Sequence, residues 1–278
     1  PDINYINGKY VLYYSKSEWG GIHTCGIGVA TADRPEGPFT DHGNLFISKD
    51  IGVTNSIDQF YIEERGHKYL FWGSFFGIYG IELSADGLSL LTDAKPRQIA
   101  GTFMEGTYIH KRGDYYYLFG SSGTCCEGAQ STYHITYGRS ENLFGPYVDK
   151  QGRPLLENHF EVLIHGNEQV AGPGHNAEFV TDDSGADWIL YHGFKRADAH
   201  AGRLVWLDRV EWIDGWPHVA GNQPSEVGKK PLLNAINLAD PTIFAENGTY
   251  YLYGTSMTDG FKVYISKDLK TWEVPAGA

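Results

Sequence analysis

Hydrophobic and polar positions follow one recurring pattern along this chain. A turn that contains glycine leads into a strand rich in tyrosine and other apolar residues, and five copies of this phrase occur. The copies are GKYVLYYS from Gly8, GHKYLFWGS from Gly66, GDYYYLFGS from Gly113, GADWILYHG from Gly185 and GTYYLYGTS from Gly248. Short apolar runs bounded by turn residues predict β-strands, and the repeats lack the 3.6-residue periodicity of a long helix.

Each phrase is followed by a second strand-like run and then by a turn and an edge-like segment. Examples are GIGVATAD with GPFTDHG in the first repeat and YHITYGRS with GPYVDKQG in the third. Three or four strands per repeat of about 40–50 residues are typical of β-propeller blades. The pattern therefore predicts an all-β fold, a five-bladed β-propeller that occupies residues 1–278 as a single domain. A β-sandwich with chance similarity between its strands is the alternative.

The segment before each phrase is expected to form the innermost strand of its blade. Every such segment opens with an ionisable residue, namely Asp2, Asp58, Glu105, His175 and Asp240. An equal register in each blade would place these side chains in one ring around a central channel. Repulsion between like charges and burial would then spread their pKa values, which acid–base catalysis requires. The alternative is that each carboxylate only caps a strand or turn by accepting backbone hydrogen bonds.

The amino-acid composition argues against some classes of function. The chain has 35 Gly and 14% aromatic residues, which suits β-structure with many tight turns. Its 34 acidic against 22 basic side chains give a net charge of −12, which argues against a nucleic-acid-binding surface. Apolar runs are too short to span a membrane, so no membrane partner is expected.

The cysteines and the N-terminal sequence are relevant to disulfide formation, to metal binding and to the cellular compartment of the protein. Cys125 and Cys126 are adjacent and Cys25 is the third, and adjacent cysteines seldom bridge without strain, so no disulfide framework is expected. The spacing is also not that of a zinc site. The sequence begins without a signal peptide, but a mature secreted chain would look the same, and we expect a secreted or periplasmic protein.

Several segments resemble glycoside hydrolase family 43, and within it the arabinanases that act on α-1,5-linked arabinan. The resemblance rests on DPTIFAENGTYYLYGTS (240–256), PDINYINGKYVLYYS (1–15), NSIDQFY (55–61), MEGTYIHKRGDYYYLFGSS (104–122), CCEGAQSTYHITYGRSENLFGPYVDKQG (125–152) and GPGHN (172–176). It implies a hydrolase that cleaves α-1,5-linked L-arabinofuranosyl bonds with inversion, endo- or exo-acting, on arabinan or arabino-oligosaccharides. An α-L-arabinofuranosidase or β-xylosidase of the same family is one alternative, and a non-catalytic carbohydrate-binding propeller is another.

The order of these segments differs from that of the family. The segment 240–256 resembles the family's opening stretch, whereas 1–15 resembles its second blade. The resemblance thus implies a circularly permuted propeller in which residues 220–237 connect the family's usual ends. A closed ring of blades can accept such a change, because cutting one loop and joining the old ends preserves the contacts.

Family resemblance also assigns roles to three of the ring residues. Asp240 matches the general base that activates water, and Glu105 matches the general acid that protonates the leaving oxygen. Asp58 matches the carboxylate that raises the pKa of the acid and orients it. An inverting mechanism requires the base and the acid to stand about 6.5–9.5 Å apart, because a water molecule must fit between them.

Further candidates concern the substrate and a metal ion. The substrate-binding candidates are Asp2, Asn55, Trp72, Ser74, Phe75 and Tyr133. Aromatic rings can stack on pentose faces, although packing between blades is the alternative for each ring, and Asp2 can equally serve structural hydrogen bonding. His175 resembles the histidine that faces a channel ion, usually calcium, in arabinanases. Calcium prefers oxygen ligands, so a core histidine is the alternative. No organic cofactor is expected, and the oligomeric state is open.

Overall fold

Five antiparallel sheets account for most of the regular structure. The computed structural model describes residues 1–18, 20–225, 236–255 and 261–275. The first sheet contains β1 (Asp2–Ile6), β2 (Lys9–Lys16), β3 (Gly26–Ala32) and β4 (Thr40–Ile47) in chain order. The second contains β5 (Phe60–Glu64), β6 (His67–Trp72), β7 (Ile78–Glu82) and β8 (Arg97–Ala100), and the third contains β9 (Glu105–Arg112), β10 (Tyr115–Ser122), β11 (His134–Ser140) and β12 (Glu161–Ile164).

The remaining two sheets follow the same meander. In the fourth sheet, β13 (Val170–Gly174), β15 (Asp187–Lys195), β16 (Leu204–Ile213) and β17 (Trp216–His218) are neighbours, and β14 (Val180–Thr181) pairs with β15. The fifth sheet contains β18 (Ala239–Glu246), β19 (Thr249–Thr255) and β20 (Tyr264–Ser266). Each tyrosine-rich phrase forms the second long strand of its sheet. These sheets confirm the all-β, five-bladed propeller fold predicted from the repeats.

Helical structure is confined to short turns among the described residues. α1 spans Ser48–Ile51, and four 3₁₀ turns span Gly128–Gln130, Leu155–Glu157, Arg196–Ala201 and Ala220–Asn222. None of the helices in the described part of the chain has the length and apolar character needed to cross a membrane.

The chain forms two compact units. The first comprises residues 1–119 and 138–161, and the second comprises residues 120–137 and 162–278. The first has a core that includes Tyr13, Leu70 and Trp72. The second has a core that includes Leu190 and Leu252. The single-domain assignment and the circular permutation stay predictions, and residues 226–235 of the expected connector 220–237 lie outside the described residues.

The cysteines depart from expectation. Cys125 and Cys126 form a disulfide between neighbours, whose Cα atoms are 3.8 Å apart. Adjacent cysteines seldom bridge, so this pair is an exception, and it is a single bridge between neighbours. They lie in a loop whose two ends are held together by hydrogen bonds between Thr124 and Thr132, which gives the pair a fixed setting. Cys25 is buried and carries a free thiol.

Candidate active site

Three of the five ring residues have a left-handed backbone. The φ angles are 61° at Asp58, 47° at His175 and 50° at Asp240. This region costs a non-glycine residue about 1–2 kcal/mol. The strand pairing is irregular at two of these places, between Ala171 and Gly174 in β13 and between Ala239 and Thr242 in β18. Such backbone strain is held by the surrounding structure and is enriched at functional sites.

A side chain from the preceding sheet accepts the N–H of each of these residues. The three hydrogen bonds run from Asp58 N to Ser15 Oγ (3.0 Å), from His175 N to Ser121 Oγ (2.8 Å) and from Asp240 N to His192 Nδ1 (3.0 Å). In the same register, Ser74 Oγ donates to Glu105 Oε2 over 2.6 Å. We call Ser15, Ser74, Ser121 and His192 the phrase-end residues, because the three serines end their tyrosine-rich phrases and His192 is the last residue but one of its phrase. They fix the ring residues in four of the five repeats.

In the first unit, the structure brings Asp58 next to Glu105. Asp58 Oδ2 accepts the N–H of Gly106, the residue after Glu105, over 3.1 Å. Both carboxylic residues are partly exposed, whereas Ser74 beside Glu105 is buried. Asn55 Nδ2 donates to the carbonyl oxygen of Ser74 over 3.2 Å. Asp58 is thus placed where its charge can act on the acid, and Asn55 and Ser74 hold the backbone and the carboxyl group around it.

Asp2 is the ring residue whose carboxylate is buried and accepts hydrogen bonds from neighbouring residues. Its side chain is buried, Oδ2 accepts the N–H of Tyr61 over 2.6 Å and Oδ1 accepts from Asn4 Nδ2 over 2.9 Å. A carboxylate that accepts hydrogen bonds at both oxygens ties β1 to β5. Of the two roles left open by the sequence, the structure supports hydrogen bonding within the protein.

In the second unit, three nitrogen-bearing side chains surround Asp240. Oδ1 lies 3.2 Å from His175 Nδ1, 3.3 Å from Arg203 Nη1 and 3.5 Å from His192 Nδ1. Burial alone would raise the pKa of this carboxyl group, but the interactions with His175 and the Arg203 guanidinium outweigh it and hold the pKa of Asp240 well below its usual range. Asp240 is therefore ionised across the pH range in which an enzyme works, as a general base must be.

Two of the aromatic candidates are core residues. Trp72 is fully buried, packs on Phe46 and donates from Nε1 to Ser56 Oγ over 2.9 Å. Tyr133 is 1% exposed and stacks on His192, with the ring centroids 5.7 Å apart. A ligand cannot reach either ring, so the predicted substrate contact is wrong for both, and packing is the correct alternative. The sequence does not separate the two cases, because strands buried on both faces carry aromatics without alternation.

Phe75 and its neighbour Phe76 stand closer to solvent. Phe75 is partly exposed with a φ of 54°, and its N–H donates to the carbonyl oxygen of Met104, the residue before Glu105, over 3.0 Å. Phe76 is 43% exposed. An exposed aromatic ring two residues after Ser74, which contacts Glu105, has the character of a sugar-stacking surface.

The described residues do not assemble a calcium site. His175 directs Nδ1 at Asp240, and among the described residues there is no group of three or more His, Cys, Asp or Glu side chains able to hold a metal ion. Calcium takes six to eight oxygen ligands, which one imidazole does not supply. The ion at His175 stays a prediction that rests on resemblance, and no chemical step is assigned to it.

Arg203 and His192 contact Asp240 without having been identified from the sequence. Arg203 lies just before β16, and a single arginine carries no pattern. His192 had a weaker signal, since the other four phrases end in serine whereas this phrase ends in His192-Gly193.

Comparisons with known proteins identify the family of this chain. The family model described as glycosyl hydrolases family 43 matches residues 1–217. An extracellular exo-α-(1→5)-L-arabinofuranosidase of Cellvibrio japonicus is 33% identical over 243 residues, which cover 79% of this chain and 69% of that protein. An extracellular endo-α-(1→5)-L-arabinanase of Bacillus subtilis is 34% identical over 227 residues, which cover 78% and 67%.

Solved structures give the same result. The α-L-arabinanase of Cellvibrio cellulosa in complex with arabinohexaose superposes with a TM-score of 0.71 at 31% identity, over 79% of this chain and 76% of that chain. The family 43 endo-arabinanase of Bacillus licheniformis gives a TM-score of 0.68 at 32% identity, over 78% and 75%. With a family model that matches most of its length and relatives above 30% identity, the chain belongs to family 43 of the glycosyl hydrolases and is a glycosidase.

Proposed function

We propose that this glycosidase cleaves α-1,5-linked L-arabinofuranosyl bonds in arabinan and arabino-oligosaccharides. The observation that carries the proposal is the setting of Asp240, the residue that the family resemblance assigns as the base. Its backbone is left-handed, and His175 and Arg203 keep its carboxylate ionised. Two relatives have names that specify this linkage, which supports the choice of substrate. The enzyme is also proposed to be secreted, since both relatives are named extracellular.

The roles follow from the chemistry of an inverting hydrolysis. Asp240 takes a proton from a water molecule as the water oxygen bonds to the anomeric carbon. Glu105 gives its proton to the glycosidic oxygen as the bond between that oxygen and the anomeric carbon breaks. Asp58, hydrogen-bonded to Gly106 beside the acid, raises the pKa of Glu105 by its negative charge. Water enters opposite the leaving group, so the configuration at the anomeric carbon inverts.

Product analysis on linear arabinan over time tests this proposal. A mixture of oligosaccharides at early times indicates endo action, whereas one short product from the start indicates exo action. The anomer first formed, followed by proton NMR, reports inversion or retention. Debranched arabinan and xylan are the comparison substrates.

Other outcomes would overturn the proposal. Release of xylose from xylan without cleavage of arabinan would identify a β-xylosidase. Binding of arabino-oligosaccharides with no hydrolysis of any of these substrates would identify a carbohydrate-binding propeller.

A further inference from the structure

His192 accepts a main-chain N–H of the kind that a serine accepts in two other repeats. Ser15 and Ser121 use a hydroxyl oxygen to accept the N–H of a left-handed ring residue, and His192 uses Nδ1 for Asp240. An imidazole extends further from the backbone than a hydroxyl group. The fourth repeat therefore supports Asp240 by the same arrangement with a longer side chain.

Geometry separates two ways in which His192 can act on Asp240. As a cation it would face the carboxylate, but Nδ1 is 3.5 Å from Oδ1, which is long for a charge-assisted hydrogen bond. As a neutral acceptor it faces the main-chain N–H at 3.0 Å, which is a good hydrogen bond. Burial lowers the pKa of His192 to about 3, which keeps the ring neutral and Nδ1 available as an acceptor.

The surroundings of the ring fix its orientation. His192 has no exposed surface and lies nearly parallel to Tyr133, at an interplanar angle of 16°. With Nδ1 accepting, the proton of the neutral ring is on Nε2, and Nε2 has no hydrogen-bond partner among the described residues. An apolar ring of the same size would fill this space without burying an unsatisfied N–H group. The contact to Asp240 is the polar function that this histidine performs.

We propose that His192 is a positioning residue for the base: by accepting the Asp240 N–H, it holds the left-handed backbone that directs the carboxylate toward Arg203 and His175. The proposal rests on the proposed function, because it takes Asp240 as the base. His192 does not touch the substrate in this scheme. Its loss would leave Asp240 chemically intact but free to move, and misplacement of a reacting group by about 1 Å can lower a rate about 10²-fold.

Two substitutions separate the acceptor from the ring. His192→Phe keeps the ring and its packing on Tyr133 but removes the acceptor, whereas His192→Asn keeps an acceptor at the position of Nδ1 without the ring. We expect His192→Phe to lower kcat on linear arabinan by about 10–100-fold with KM within about twofold, and His192→Asn to recover most of the loss. His67→Phe, a change at an exposed histidine of β6, is the control and should keep the kcat of the parent.

A pH profile distinguishes positioning from simple loss of folded enzyme. Once Asp240 is no longer held near Arg203 and His175, its pKa rises, and the acid limb of kcat/KM in His192→Phe shifts to higher pH. A lower fraction of folded protein reduces kcat without moving that limb. If His192→Phe does not fold, as judged by circular dichroism, a kcat for His192→Asn near that of the parent supports the proposal and a kcat as low as that of an Asp240→Asn variant overturns it.

The remaining outcomes are distinct. An unchanged kcat and pH profile in His192→Phe overturns the positioning role. An equal loss in both substitutions also overturns it, because an acceptor at this position would then not restore kcat. A parent enzyme that hydrolyses neither arabinan nor an aryl α-L-arabinofuranoside overturns the proposed function instead.

Discussion

The charge state of Asp240 is set by its neighbours, and Arg203 is the one that always carries a charge. Replacing Arg203 with Met removes a cation 3.3 Å from Oδ1, so the carboxylate is less stabilised and the pKa of Asp240 rises. We expect the acid limb of kcat/KM to move up by about one pH unit or more. Arg209→Met, at an exposed position of β16, the strand that follows Arg203, is the matched control. An acid limb that stays where it is in Arg203→Met would show that Asp240 is not the titrating base.

Glu105 has the opposite requirement, because an acid must carry a proton. Glu105→Gln keeps the shape and the contact with Ser74 but cannot donate a proton to the leaving oxygen. We expect hydrolysis of arabinan to fall by about 10²–10⁴-fold, with the affinity for arabino-oligosaccharides unchanged. Calorimetric titration and reducing-sugar release measure the two quantities. Glu157→Gln, an exposed change, should retain full activity. Loss of sugar binding in Glu105→Gln would mean that the residue binds rather than catalyses.

Trp72 and Phe76 lie in the same sequence segment but are expected to respond differently to truncation. Trp72→Ala empties a fully buried site and deletes the hydrogen bond to Ser56, so the free energy of unfolding should fall by about 3–5 kcal/mol. Phe76→Ala removes an exposed ring and should leave that free energy nearly unchanged while raising KM if the ring stacks on sugar. Denaturant unfolding and kinetics on linear arabinan check both. A Trp72→Ala protein that is as stable as the parent and has a raised KM would show that Trp72 contacts the substrate after all.

Some residues of the site can be identified from the sequence and others cannot. Asp58, Glu105 and Asp240 were found because they recur at one place in each repeat, and recurrence is visible without a structure. Trp72 and Tyr133 were misassigned because an aromatic side chain looks the same in a core and in a sugar site. Arg203 reaches Asp240 through the pairing of distant segments, which composition and spacing do not encode.

At the scale of strands, close packing of β13 controls where Tyr133 lies. A Cβ added at Gly174 would be 2.1 Å from Cδ1 of Tyr133, so Gly174→Ala must displace the ring that stacks on His192. We expect a loss of about 1–3 kcal/mol in unfolding free energy, together with a lower kcat. Gly185→Ala, at a turn where the added Cβ meets nothing within 4 Å, strains only the backbone and should keep its kcat. Equal kcat values in the two variants would show that the position of the Tyr133 ring does not affect catalysis.

Elements were predictable to the extent that they repeat. The tyrosine-rich phrases gave the long strands β2, β6, β10, β15 and β19, because turn glycines bound each apolar run. The irregular pairing in β13 and β18 could not be predicted, since a bulge depends on which residue of the partner strand each residue faces. Asp240 lies within the irregular stretch of β18 and His175 directly follows that of β13, so the site is next to the feature that periodicity does not show.

For the whole molecule, repetition predicted the number of sheets but not the division into two compact units. That division follows from packing between side chains distant in sequence, which a repeat does not specify. The circular order remains a prediction for the same reason, since it concerns how the repeats meet rather than what each contains.

Acid sensitivity of the whole chain follows from its turn carboxylates. Hydrogen bonds hold the pKa values of Asp86, Asp182 and Asp268 below their usual range, for Asp182 chiefly from the Ser184 hydroxyl and then the Trp188 indole. The unfolded chain, with ordinary Asp pKa values of about 3.9, binds more protons as the pH falls, so the stability these groups contribute is present above that pKa and is lost below it. Burial raises the pKa of Glu178, which opposes this trend.

Asp182→Asn tests the contribution of one of these groups. The variant keeps an acceptor for Ser184 and Ala186 but loses the charge and the oxygen that accepts from Trp188 Nε1, so it should be less stable than the parent at pH 7. The difference in unfolding free energy should shrink as the pH falls through about 4 toward 3, because the parent carboxylate is progressively protonated in the unfolded state. Urea unfolding of both proteins at pH 7, 4 and 3 measures it. A difference that stays constant over this range would show that shape, and not charge, makes Asp182 stabilising.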